Sequence, residues 1–118
     1  MKSEENVTLH KPLTPAVFHT LLALARGPLH GYAISQEVDE ATGGGIRMGP
    51  GTLYGTLKRV QASGFVAEAR GLEGDASHEE RRRYYELTPA GRGALEGEAR
   101  RLERAVGLAR ARDVLSSS

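Results

Sequence analysis

At 118 residues the chain has room for one core and no second domain. With no cysteine it can build neither a disulfide framework nor a thiolate metal site, which argues against a secreted scaffold or a cysteine redox sensor and for a cytoplasmic protein. Sixteen basic residues against fifteen acidic ones leave a net charge of +1, so any hold on nucleic acid must come from locally gathered Lys and Arg and not from the chain total.

Residues 1–12 read as an N-terminal tail. Lys2, Glu4, Glu5 and Asn6 precede any apolar residue, and no apolar run approaches the ~18 residues of a membrane helix, so neither a leader nor a membrane partner is expected. Thr14-Pro15 is a helix N-cap followed by proline at the first helical position. Phe18, Leu21, Leu22 and Ala25 then repeat on one face until Gly27-Pro28. A second helix is expected from about His30-Gly31-Tyr32, with Ile34, Val38 and Ala41 inward and Ser35, Gln36 and Asp39 outward, ending at Gly43-Gly44-Gly45. Ile46-Arg47-Met48 reads as a short strand.

The third helix has both ends marked: Gly49 as cap, Pro50 at the first position and Gly64 as the left-handed stop. Leu53, Leu57 and Val60 make its core stripe, which turns Gly51, Gly55, Lys58, Arg59 and Ala62 outward with Thr52 and Tyr54 at the flanks. A small, basic outer face lets a helix backbone sit deep in a major groove ~12 Å wide, with Lys58 and Arg59 reaching phosphates or guanine edges. The bland reading of the same face is a surface helix with solvated charges.

Beyond Gly64 the period becomes alternating. Residues 65–70 and 81–87 read as two strands joined by a polar loop, with Tyr85 and Leu87 inward and Arg81 and Arg82 where strand leaves loop, placed to grip a DNA backbone. Thr88-Pro89 starts a last helix in which Leu95, Ala99, Leu102, Val106 and Ala109 step by fours and threes, the spacing of a pairing seam that Asp113 ends. Gly91, Gly93, Gly97 and Gly107 weaken that helix in isolation, each by up to about 1 kcal/mol. The expected architecture is mainly α with a small β-hairpin: a winged helix-turn-helix over residues 13–88 and a C-terminal dimerisation helix over residues 89–115. His10, His19, His30 and His78 show no metal-binding spacing, and no nucleophile motif or phosphate loop is present, so no cofactor, metal or enzymatic activity is expected.

His30-Gly31-Tyr32, Gly51-Thr52-Leu53-Tyr54 with Leu57 and Arg59, Gly64-Phe65-Val66, and Tyr85-Glu86-Leu87-Thr88 with Gly91 together resemble the PadR transcriptional regulators, from about Leu13 to Arg92. The single helix after the wing is similar to the compact branch of that family. The resemblance implies a homodimeric repressor of a pseudo-palindromic operator in double-stranded DNA, released by small, often aromatic, effectors. It places DNA contacts on Tyr32, Thr52, Tyr54, Lys58 and wing arginines. Gly55 stands where the family commonly has proline, and Ser77-His78-Glu79-Glu80-Arg81-Arg82 replaces its Gly-Arg-Pro type segment. The chain has no tryptophan to stack an aromatic effector. A winged-helix module that binds another protein is the alternative reading, motivated by the near-neutral charge and the acidic wing loop.

Overall fold

A computed structural model describes residues 11–69 and 83–116. Helix α1 spans Pro15–Ala23; the Thr14 hydroxyl caps it by accepting the Val17 N–H at 3.2 Å. Its buried positions are Thr20, Leu21 and the C-cap Leu24, whereas Leu22, expected inward, is 43% exposed. The run Leu21-Leu22-Ala23-Leu24 is apolar throughout, so hydrophobicity alone does not set the phase of the helix. Thr20 can be buried because its hydroxyl donates to the Ala16 carbonyl at 2.7 Å.

A two-residue strand, β1 (Leu29–His30), follows; it was not expected, since two residues cannot show a period. It leads directly into α2 (Gly31–Ala41), where His30 acts as N-cap, its Nδ1 accepting the Ala33 N–H at 3.3 Å. Ile34 and Val38 are fully buried, but Ala41, at the helix end, is exposed. Residues 46–48 form no strand. Thr42 instead organises the link, its hydroxyl accepting the Ile46 N–H at 2.9 Å and donating to the Val38 carbonyl at 2.8 Å, while Met48 drops into the core.

Helix α3 (Pro50–Ala62) starts at Gly49 and ends as its glycine marker requires. Gly64 takes a φ of +82°, and Phe65 N–H reaches back to the Val60 carbonyl at 2.9 Å, the six-to-one bond of a left-handed helix stop. Strands β2 (Val66–Glu68) and β3 (Tyr84–Leu87) pair antiparallel, with Val66 opposite Leu87 and Glu68 opposite Tyr85. β3 also pairs with β1, giving a three-stranded sheet in the order β1-β3-β2. Tyr85 is buried, as its place in the alternation required.

Helix α4 (Pro89–Ala111) is 23 residues long, about 34 Å. Thr88 sets its start three ways: its hydroxyl accepts the Gly91 N–H and donates to the Gly64 carbonyl at 2.6 Å, and its own N–H donates to the Phe65 carbonyl at 3.0 Å. Gly91 allows this closeness, because a Cβ there would run into the Phe65 carbonyl oxygen. Residues to Glu98 pack on the body, and the outer half of α4 extends beyond it with its residues largely exposed. Leu21, Leu24, Ile34, Val38, Leu53, Leu57, Val60, Val66, Tyr85 and Leu95 share one core, so helices and sheet form a single body.

Candidate nucleic-acid interface

Leu53, Leu57 and Val60 are 3%, 1% and 2% exposed, which fixes the rotation of α3 about its axis. At ~100° per residue the middle of the outer face is then Gly51, Gly55, Lys58 and Ala62, with Thr52 and Arg59 along one edge and Tyr54 along the other. Lys58, Arg59, Thr52 and Gly51 are exposed, and α3 contains no acidic residue. Arg59 is lightly tethered, one guanidinium nitrogen donating to the Thr56 hydroxyl at 3.4 Å. Apart from adjacent residues and the helix's own backbone, none of the described residues lies within 4 Å of where a Cβ would stand on Gly49, Gly51 or Gly55. Packing among the described residues therefore does not account for these glycines, although at Gly51 and Gly55 a helical alanine is worth up to about 1 kcal/mol more.

Tyr54 is 45% exposed and serves two surfaces. Its hydroxyl lies over Gly31 at the start of α2, where a Cβ would meet it at 2.7 Å. Gly31 is thus what lets the α3 flank close on α2, a role the sequence signals only as a small residue beside an aromatic helix start. Tyr32, one position on, is 66% exposed. An open groove of about 360 Å³ lies between α2 and the link that leads into α3, lined by Tyr32, Ser35, Gln36, Arg47 and Gly49 among others. Burial pushes the Tyr85 phenol above its usual pKa, with Tyr54 and Glu68 adding to the push and Arg83 opposing it. Where the two strands meet the loop that joins them, Arg83 pairs with Glu68 at 3.4 Å. Arg81 and Arg82 lie outside the described residues. The structure thus brings Tyr32, Thr52, Tyr54, Lys58 and Arg59 onto the exposed surface of α3 and the adjoining start of α2.

The expected pairing seam needs one correction. Leu95 is 6% exposed and belongs to this chain's own core, because the first half of α4 packs on the body and uses the same spacing to do so. Leu102 and Val106 are 39% and 41% exposed, Ala99 is exposed and Ala109 is half-buried. The chain turns back beyond Ala111, with Asp113 at a φ of +63° and the Val114 N–H bonded to the Ala109 carbonyl at 2.8 Å. Leu22 on α1 and Leu108 on α4 add exposed apolar surface. Glu98 is a buried charge that periodicity did not reveal. Its carboxylate accepts from Arg101 at 2.6 Å and from the Leu13 N–H at 3.2 Å, tying α4 to the segment before α1. The Arg101 guanidinium, aided by that backbone bond, holds its pKa below the usual carboxylate value against the opposing effect of burial.

The model of the "Transcriptional regulator PadR-like family" matches residues 20–97. Over 86 residues the chain is 43% identical to a transcriptional regulator of Mycobacterium tuberculosis, covering 72% of this chain and 73% of that relative. It is 47% identical over 87 residues to an uncharacterised transposon protein of Streptomyces fradiae; that match takes in 74% of this chain but 23% of the relative. Among solved structures, Bacillus subtilis PadR in complex with operator DNA superposes with a TM-score of 0.58 at 24% identity, over 70% of this chain and 45% of that one.

Proposed function

Since this chain belongs to the PadR-like family of DNA-binding transcriptional regulators, we propose that it acts in the cytoplasm as a homodimeric repressor, laying the outer face of α3 into the major groove at each half of a pseudo-palindromic operator. The observation that carries this reading is that face itself. It has two exposed cations, no acid, and glycines beyond which none of the described residues stands. A close-fitting duplex accounts for all three features. In the proposal Lys58 and Arg59 meet phosphates or guanine edges, Thr52 and Tyr54 contact the groove from either flank, Tyr32 reaches the backbone beside it, and Arg81 and Arg82 grip the adjacent strand from the wing.

The exposed stretch of α4, with Ala99, Leu102, Val106 and Ala109, would hold two such chains together. Covering the 39–41% of Leu102 and Val106 still exposed is worth ~0.6–1.2 kcal/mol per side chain on each protomer, against an association cost of about 4–15 kcal/mol. The seam therefore needs further surface, for which exposed Leu22 of α1 and Leu108 of α4 are available. Release by a small aromatic effector, as the resemblance implies, would work by respacing the two α3 helices across this seam.

Footprinting on DNA upstream of the protein's own gene tests the reading. Wild type should protect two half-sites about one duplex turn apart, and K58A/R59A should lose that protection at moderate salt. Undiminished protection by the double variant would remove α3 from the interface, and capture of a stoichiometric protein partner with no duplex retained would favour the interaction module instead.

A further inference from the structure

The link between α2 and α3 holds one cation that neither the core nor α3 requires. Arg47 sits between half-buried Ile46 and buried Met48, on a backbone fixed by the Thr42 hydroxyl bond to Ile46 N–H and by the Gly45 N–H bond to the Thr42 carbonyl at 2.9 Å. Its Cα position is thus set while its side chain is 77% exposed. The described partner is Asp39 of α2, at 3.9 Å, too far for a hydrogen bond and with a side chain itself 46% exposed. Both border the groove that Tyr32, Ser35 and Gln36 line at the start of α3. In a helix-turn-helix the first helix crosses the DNA backbone while the second enters the groove, so this is where a phosphate passes.

We infer that Arg47 is a phosphate-contacting residue and that Asp39 is its intramolecular competitor, a carboxylate that holds the guanidinium in the free protein and must give it up when DNA arrives. The inference rests on the placement of α3 in the major groove proposed above. It adds a role for the acidic side of α2: Asp39 lowers affinity and so limits binding to sequences whose other contacts are good enough to break the pair. The anion that displaces Asp39 is a backbone phosphate, so Arg47 contributes hold and salt dependence while carrying no base preference.

The test uses a fluorescent duplex from the upstream region, titrated between about 50 and 200 mM salt with wild type, D39N, R47A, the double variant, and E40Q and K58A as controls. Both side chains are exposed, so thermal midpoints should stay at the wild-type value. R47A should weaken binding and flatten the log-log salt slope by about 0.9 per half-site. D39N should tighten binding by about 1.5- to 5-fold per half-site, the fold-change to which a surface ion pair corresponds. In the R47A background D39N should have no effect, and E40Q, with the same change of charge, should do less than D39N. Tightening by D39N that persists without Arg47 would show plain repulsion of the phosphate and overturn the inference, as would an R47A slope equal to wild type. If K58A weakens binding while R47A and D39N do nothing, only this inference fails; if K58A is silent as well, the placement of α3 fails with it.

Discussion

Replacing Gly51 with alanine separates what the fold needs from what the interface needs. The site has an ordinary negative φ, and apart from its own helical turn none of the described residues comes within 4 Å of the new methyl group. The folded protein therefore accepts it without strain, and the loss of glycine's freedom in the unfolded chain favours the folded state by about 0.5–1 kcal/mol. For a domain of this size that corresponds to a rise in Tm of roughly 2–6 °C. If the middle of the α3 face lies against a duplex, the same methyl group intrudes into a packed contact. By analogy with overpacking in a core, that costs about 1–3 kcal/mol per half-site, a fivefold or greater loss of affinity. Denaturant unfolding and fluorescence anisotropy on the upstream duplex measure the two effects on one preparation. A G51A protein that is more stable and binds DNA as tightly as wild type would refute the argument that this glycine serves close approach.

The same substitution at Gly91 should do the opposite: a Cβ there meets the Phe65 carbonyl, which already accepts the Thr88 N–H, so G91A should destabilise by about 1–3 kcal/mol or more in urea unfolding. E98Q should cost about 1–2 kcal/mol at neutral pH through loss of a charge-assisted acceptor for Arg101 and Leu13. Because the folded-state pKa of Glu98 is lowered, its contribution is complete above the unfolded value of about 4.3 and fades as pH falls through the folded one. The gap between wild type and E98Q in urea midpoint should accordingly close in acid, and a gap independent of pH would contradict the assignment. L102D/V106D, altering two exposed residues, should leave the thermal midpoint of the protomer near its wild-type value yet sediment as a monomer at concentrations where wild type is dimeric.

The helix starts at Thr14-Pro15 and Thr88-Pro89 were legible because capping is local chemistry, written in the hydroxyls that make the bonds, and the start at Gly49-Pro50, which has no side-chain cap, was legible from proline at the first helical position. The rotation of α3 was legible for a related reason: Leu53, Leu57 and Val60 are the large aliphatic residues of that helix and fall on one side, where buried Thr56 joins them, so one phase fits. Where the pattern was degenerate it misled. Four consecutive apolar residues left α1 without a unique inner face, and Leu22 came out exposed. Leu95 has the spacing of a partner seam and of a self-packed helix alike; only the fold shows that α4 spends its first half on its own core. β1 is too short to carry a period, and its register with Tyr84 and Tyr85 comes from contacts distant in sequence. Arg47 and Glu98 escaped notice because a lone charge in a loop or on an amphipathic helix looks solvated until its neighbours are placed.

The central claim is that two copies of α3 are held one duplex turn apart. As the chain has no cysteine, a single one introduced at exposed Gln61, on the flank of α3, can be spin-labelled alone. Electron paramagnetic resonance on the DNA-bound protein should give one inter-label distance distribution centred at ~34 Å. No dipolar modulation with duplex bound, or a distribution centred far from that spacing, would contradict the account.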